Sequence, residues 1–381
     1  MLQLELNDSV ATLRHELRNW LSTQTIPTLA ETKDLADFVR VGRAWQKLLA
    51  SQRWLGVYWP KEYGGRGLSL VEEAVVLEEL ARAQAPQVLG LFGLTMVGPV
   101  LIEHGTKEQK DRFLSKILSG EQIWCQGFSE PGAGSDLAAI KTKAEASADG
   151  YKITGQKVWT SFAHLADWCF VLCRTEAGSE RHHGLSYLLV PMNSPGITIR
   201  PLKQISGDDE FNEVFFDEVY VPRDHMVGKP GDGWKIAIST LMHERVVLTF
   251  ARHLQSESAL RELLSEPHDY PLSRAALVDS IVDACAVRAL AYKHLTEYAE
   301  GKKPGPEGSL DKLAWSESFQ LLARRSYDRF GPLAALGEHD PEIGHIAHRY
   351  LYSRGRTIAA GTSEIQRTII AERVIGLPRA K

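Results

Sequence analysis

The chain has 381 residues, 44% of them hydrophobic, and a formal net charge of −4. That is enough apolar material for a sizeable core and two or three structural units, and Lys and Arg too scattered for a nucleic-acid-binding surface. No apolar run approaches the roughly 18 residues of a membrane span.

Helical periodicity dominates residues 8–120, with Val10, Leu13, Leu17 and Trp20-Leu21 at helical spacing and a second amphipathic stretch over Leu70–Ala83. Between them lies a loop punctuated by Gly and Pro and dense in aromatics, Trp54 to Gly65. From about 123 to 228 the pattern becomes short strands and turns. Asp149-Gly150 is a hairpin signal ahead of Tyr151–Thr154, and Leu185–Val190, Ile197–Arg200 and Val214–Phe216 are further strands. In Trp168–Cys173, strand alternation puts Cys169 and Cys173 on one face; they read as buried free thiols, and the four cysteines match no zinc spacing. From about 232 helices return, over Trp234–Arg252, Leu272–Glu300, Leu310–Phe330 and Ser363–Ile375. Thr362 caps the last one, and Gly376 with Pro378 ends it. The first residues carry neither a basic region nor an apolar core of signal-peptide type, so the expectation is a soluble cytoplasmic protein.

The most informative segment is residues 126–138, Gln-Gly-Phe-Ser-Glu-Pro-Gly-Ala-Gly-Ser-Asp-Leu-Ala. Its glycines, 127, 132 and 134, allow close backbone approach to a ligand and positive φ. Ser129 and Ser135 add hydroxyls, and such a loop can cradle an anion or an electron-rich ring edge. A partner segment, Gly155-Gln156-Lys157-Val158-Trp159-Thr160-Ser161, ends a strand-like run with a large aromatic and two hydroxyls. Taken singly, Trp159 reads as core and the serines as turn formers.

Together these stretches resemble the flavin-binding loops of the acyl-CoA dehydrogenase family. The resemblance runs nearly end to end, through Pro60–Gly65, Gly105–Lys110, Phe211–Gly228 and Ala360–Pro378. It implies an α+β fold with an N-terminal helical domain (1–122), a middle β-barrel or sandwich-like domain (123–230) and a C-terminal four-helix bundle (231–381). It also implies FAD-dependent α,β-dehydrogenation of an acyl-CoA, or of a thioester on an acyl-carrier protein, with electron-transfer flavoprotein or a similar acceptor. By the same resemblance Phe128 and Ser129 lie against the flavin, Trp159 beside it with Ser161 near N5, and Ser135 on the substrate side. Thr362 and Glu364 match FAD-contacting positions, although capping explains Thr362 equally well and an exposed first-turn carboxylate explains Glu364.

In most of that family a glutamate precedes the Gly-Thr that opens the last helix. Here Ala360 stands there, and a methyl group cannot take a proton, although its backbone N–H can polarise a thioester oxygen. A second base location known in the family falls on Glu244, within Leu241-Met242-His243-Glu244-Arg245. Ala237, Leu241, Glu244 and Leu248 form one stripe at spacings of three and four, where a carboxylate is costly unless paired or facing a cavity. Partial burial also moves such a group toward the range of a general base. The competing reading is a salt bridge to a neighbouring helix. Arg245 is an organising residue by resemblance, and His243 lies about a hundred degrees round the helix from Glu244.

Two FAD-holding motifs of the family are degraded, at Leu263–Pro271 and at Arg329–Gly337. They often hold FAD across a subunit interface, so a homodimer or homotetramer and a heterotetramer with a paralogous chain both stand as assemblies. Beside the dehydrogenase stand a same-fold flavoenzyme with a different reaction on a thioester and a non-catalytic subunit of a mixed complex.

Overall fold

In a computed structural model the structure describes residues 8–29, 32–265, 272–302, 304–339 and 343–378, without the side chains of 244–251, 299, 338 and 339. The chain forms two compact units. The first comprises Val10–Lys203 and Asp209–Glu244; the second comprises Gln204–Asp208, Arg245–Lys381 and the residues before Val10.

The first unit opens with α1 (Asp8–Ser22), α2 (Leu35–Ser51), α3 (Leu70–Arg82), α4 (Gly98–His104) and α5 (Lys107–Ser119). Two of these starts are written in the sequence. Ser69 with Glu72 and Thr106 with Gln109 form capping boxes, each satisfying two otherwise orphaned N–H groups. Gln109 also donates through Nε2 to the Asp224 and Met226 carbonyls at 2.7 and 2.8 Å, tying α5 to the β region.

Eight strands follow: β1 (Trp124–Gly127), β2 (Lys143–Ala146), β3 (Gly150–Ser161), β4 (Trp168–Arg174), β5 (Leu185–Pro191), β6 (Ile197–Leu202), β7 (Phe211–Pro222) and β8 (Met226–Val227). They make one sheet in the order β6-β7-β3-β2-β4-β5-β8, with β1 parallel to β4. β4 is buried on both faces. Trp168, Phe170 and Leu172 join the core made with the N-terminal helices, while Cys169, Val171 and Cys173 join a second core within the β region. This is why the run reads as continuously apolar. Cys125, Cys169 and Cys173 are buried free thiols. The hairpin expected at Asp149-Gly150 joins β2 to β3, with Lys143 opposite Thr154 and Ala146 opposite Tyr151.

α6 (Gly233–Ser265) begins in the first unit and runs into the second. The second unit continues with α7 (Arg274–Ala299), α8 (Gly308–Asp328), α9 (Gly344–Arg356) and α10 (Ser363–Ile369), the last followed by a π-helical turn, Ile370–Val374. Ala259, Leu263, Val287, Trp315, Phe319 and Leu322 form its core. Of the degraded segments, Arg329–Gly337 runs from the end of α8 into 3-10 turns over Gly331–His339, whereas residues 266–271 lie outside the described ones. No helix among the described residues is long and apolar enough to cross a membrane.

Candidate active site

The indole of Trp159 is set by a bulge in β3. Lys157 pairs with Val214 and Thr160 with Asn212, so β3 has one residue more than β7 between these pairs. Trp159 absorbs the excess at φ 59°, a left-handed conformation costing roughly 1–3 kcal/mol for a residue with a side chain. The strain puts the indole outside: Trp159 is 59% exposed, its ring edge-on to Phe211 at 5.8 Å. An isolated tryptophan would be expected in the core. Beyond the bulge the strand is re-anchored. Asn212 donates to the Thr160 carbonyl at 3.1 Å, and Ser161, half-buried, pairs with Phe211.

The loop at 126–138 stands beside this bulge, joined to it by the Val158 N–H donating to the Ser129 carbonyl at 2.9 Å. Phe128 is buried, its ring edge-on to Phe170 and Tyr187, so its side chain anchors the loop in the core. Ser129 is half-buried and Ser135 exposed. The glycines correct one expectation: none of Gly127, Gly132 and Gly134 has positive φ, which falls instead on Trp159. Gly127 is required by packing, because an added Cβ would lie 2.9 Å from the Cys169 sulfur. At Gly132 and Gly134 a Cβ would meet nothing within 4 Å, so the loop's outer side is open.

Beneath the loop lies a pair that motif reading passed over, Glu130 and Lys157. Nζ of Lys157 donates to Glu130 Oε1 at 2.8 Å and to the Phe128 carbonyl at 2.9 Å. The Glu130 carboxylate also accepts the N–H groups of Lys141 and Thr142, at 2.7 and 2.9 Å. Burial pushes the Glu130 carboxyl upward, but Lys157 and these donors outweigh it and hold it below the ordinary range. Burial pulls the Lys157 ammonium down, against the opposing pull of Glu130. Both residues lie inside the two quoted segments, so the signal was there: opposite charges among glycines, serines and aromatics.

In the second unit, Ala360 sits at φ 55° and Gly361 at φ 91° in the turn before α10. The turn is held by Gln366, whose Nε2 donates to the Ala360 carbonyl at 2.8 Å and to that of Gly361 at 3.2 Å. Thr362 is the N-cap, accepting the Ile365 N–H at 3.3 Å. Glu364 is exposed, and hydrogen bonds from its own N–H and from Thr362 lower its pKa. The cap thus engages both residues.

Glu244 and Arg245 belong to α6, but their side chains lie outside the described residues. The turn before them is well defined. Ile236, Ala237 and Thr240 are buried. On another side of the helix, Ser239 donates to Glu103 of α4 at 2.8 Å, and His243 Nε2 lies 3.6 Å from the same carboxylate. Burial lowers the His243 pKa against the pull of Glu103. His243 is therefore part of a helix-to-helix contact, as its position round the helix implies.

Models of the acyl-CoA dehydrogenase N-terminal, middle and C-terminal domains match residues 7–121, 125–219 and 231–375. The chain belongs to the acyl-CoA dehydrogenase family. It is 44% identical to the acyl-CoA dehydrogenase IpdE1 of Mycolicibacterium smegmatis, covering 97% of this chain and 98% of that protein. Among solved structures it is similar to the ChsE4-ChsE5 complex from Mycobacterium tuberculosis, with TM-score 0.84, 30% identity and full coverage of both chains. It also matches the Tcur3481-Tcur3483 steroid ACAD, with TM-score 0.82, 29% identity and full coverage of both chains.

The chain is thus an acyl-CoA dehydrogenase of the three-part fold, and its cofactor is FAD. The described residues fit that group. The loop is open beyond Gly132 and Gly134, and an indole stands outside on a strained backbone. Buried polar atoms without a partner among the described residues, Thr160 Oγ1 in the first unit and Ser363 Oγ in the second, lie next to the residues named for the cofactor.

Proposed function

We propose that the chain dehydrogenates an acyl thioester between Cα and Cβ, with Glu244 as the base that takes the α-proton and Arg245 organising the site. Bound FAD supplies the acceptor for the β-hydride. Phe128, Ser129, Trp159 and Ser161 form the wall against the flavin, Thr362 and Glu364 contact the cofactor, and Ser135 and the backbone N–H of Ala360 serve the thioester. The organisation is 1–122, 123–230 and 231–381.

The observation that carries the assignment of the base is Ala360. Its methyl group accepts no proton, and Gln366 holds its turn by the backbone carbonyl. Support for Glu244 comes from its helix. α6 is continuous through position 244, and Glu103 ties the preceding turn to α4. Exchanging Glu244→Gln is expected to lower turnover by about 10²–10⁴-fold, the usual worth of a general base, with the flavin absorption bands unchanged. Unchanged turnover sinks the assignment.

The substrate reading follows the relatives. One solved neighbour is described as a steroid ACAD and another as a two-protein complex. We therefore propose a bulky, ring-bearing acyl-CoA as substrate and a heterotetramer with a paralogous chain as the assembly. The exposed Val278, Ile281 and Val282 on α7 suit such packing. Electron-transfer flavoprotein or a similar acceptor reoxidises the enzyme, and buried free thiols suit a reducing cytoplasm. Ala360 also favours a second reading, a non-catalytic subunit completing a partner's site. It requires the purified chain to be colourless and inactive until co-expressed with its paralogue.

A further inference from the structure

From the convergence of bonds beneath the loop at 126–138, we infer that Glu130 and Lys157 are positioning residues whose buried ion pair sets where Ser129 and Trp159 stand. The inference rests on the reading of Phe128, Ser129, Trp159 and Ser161 as the cofactor wall.

The pair joins three stretches that are otherwise separate in the sequence. Lys157 is fully buried and Glu130 is 8% exposed. One ammonium reaches the Phe128 carbonyl, immediately before Ser129, and the Glu130 carboxylate, immediately after it. That carboxylate takes the N–H groups of Lys141 and Thr142 on the path into β2. Lys157 itself is two residues before Trp159, and the next residue, Val158, donates to the Ser129 carbonyl. Ser129 is thus bracketed on both sides, and the bulge that displays Trp159 starts from a fixed point.

The loop needs this support from below. Glu130 and Ala133 exchange backbone hydrogen bonds at 3.0 Å each, which closes the turn on itself. Gly132 and Gly134 meet nothing on their outer side. A left-handed tryptophan persists only where its surroundings over-determine the backbone. Here these are the Val158–Ser129 bond on one side and the Asn212–Thr160 bond on the other. A carboxylate and an ammonium are well suited to the task. Each is a multiple acceptor or donor, and together they bring no net charge to the wall.

The test uses the full-length chain, with its paralogue if the two assemble. Glu130→Gln is nearly isosteric and keeps an acceptor for a backbone N–H, so it is expected to fold; Lys157→Arg retains the charge. Three readouts are compared: FAD dissociation constant, visible circular dichroism of the bound flavin, and the rate of limited proteolysis of the FAD-free protein within residues 131–137. Glu130→Gln is expected to weaken FAD and to speed cleavage, each by roughly tenfold, as for other supporting groups, and to alter the visible circular dichroism. Lys157→Arg is expected to recover most of each. The inference is overturned if Glu130→Gln lies within about twofold of wild type in dissociation constant and cleavage rate, with the circular dichroism unchanged, even if its melting temperature falls. Trp159→Phe is the separate control for the wall. If it leaves flavin binding and circular dichroism unchanged, the wall assignment fails, while the cleavage rate still decides what the ion pair holds.

Discussion

The loop at residues 54–68 and the loop at residues 126–138 are each pinned from beneath by a buried carboxylate, Glu73 in the first and Glu130 in the second. Both loops are rich in glycine, both carboxylates are 8% exposed, and both accept backbone N–H groups. Glu73 takes the N–H of Val57 at 2.9 Å and is also hydrogen-bonded by the backbone of Tyr58. Among the described residues only Glu130 has a buried cation against it, and the two respond oppositely. Burial pushes the Glu73 carboxyl up to about 7, more than its backbone donors can offset. Burial acts on Glu130 as well, but with Lys157 added the balance falls below the ordinary range. At Glu73 the backbone N–H groups do not offset burial, whereas at Glu130 the added ammonium of Lys157 tips the balance toward the charged carboxylate.

The largest expected effect comes from making the second loop like the first. Lys157→Met leaves Glu130 buried without its cation, and breaking such a pair costs about 3–5 kcal/mol. Urea unfolding is expected to show that loss near pH 7. If Lys157→Met unfolds like wild type, the distinction between the loops does not rest on this charge. Lower pH tests the same contrast from the other side. A lowered folded-state pKa at Glu130 contributes stability at neutral pH that is lost as pH falls through that pKa.

Next in size is Glu73, where the sign reverses. Its raised folded-state pKa means that its favourable contribution is complete below the unfolded carboxyl value. That contribution is lost as pH rises from about 4.5 to about 7. The difference corresponds to roughly 3 kcal/mol at about 1.4 kcal/mol per pH unit. Glu73→Gln mimics the neutral acid, so it is expected to match wild type near pH 4, below the unfolded carboxyl value, and to be the more stable protein at pH 8. Equal thermal melts for the two proteins across that range contradict a raised pKa at Glu73.

Two smaller effects extend the comparison to the turn before α10, which is held by an uncharged side chain. Gln366→Leu leaves the Ala360 and Gly361 carbonyls without their donor and is expected to cost about 1–3 kcal/mol. Ala360→Gly relieves a left-handed alanine and is expected to stabilise by about 1 kcal/mol, read as a rise in thermal midpoint. A loss of stability in Ala360→Gly would instead show that the methyl group packs to some purpose.

Much of the fold was legible because its signals are local. The cap at Thr362, strand alternation at Trp168–Cys173 and the Asp149-Gly150 turn each act within a few residues. The candidate site was legible as a set of segments, 126–138, 155–161 and 360–364, with an alanine at 360 where the family resemblance leads one to expect a carboxylate. What those segments do to the backbone was not. Glycine composition pointed to positive φ at 127, 132 and 134, whereas the left-handed residue is Trp159. That assignment depends on a one-residue mismatch between β3 and β7, whose partners lie more than fifty residues apart.

The sequence by itself therefore determined the family, the order of helices and strands, the segments proposed for the flavin wall and the presence of an alanine at position 360. Each of these is carried by residue type and short-range spacing. Only the tertiary structure decided that Glu130 and Lys157 form one buried pair, that no cation among the described residues faces Glu73, that Gln366 holds the turn at Ala360, and that the indole of Trp159 stands outside. The physical reason is that the cost of a buried charge and the handedness of a bulged residue depend on which distant groups converge on it.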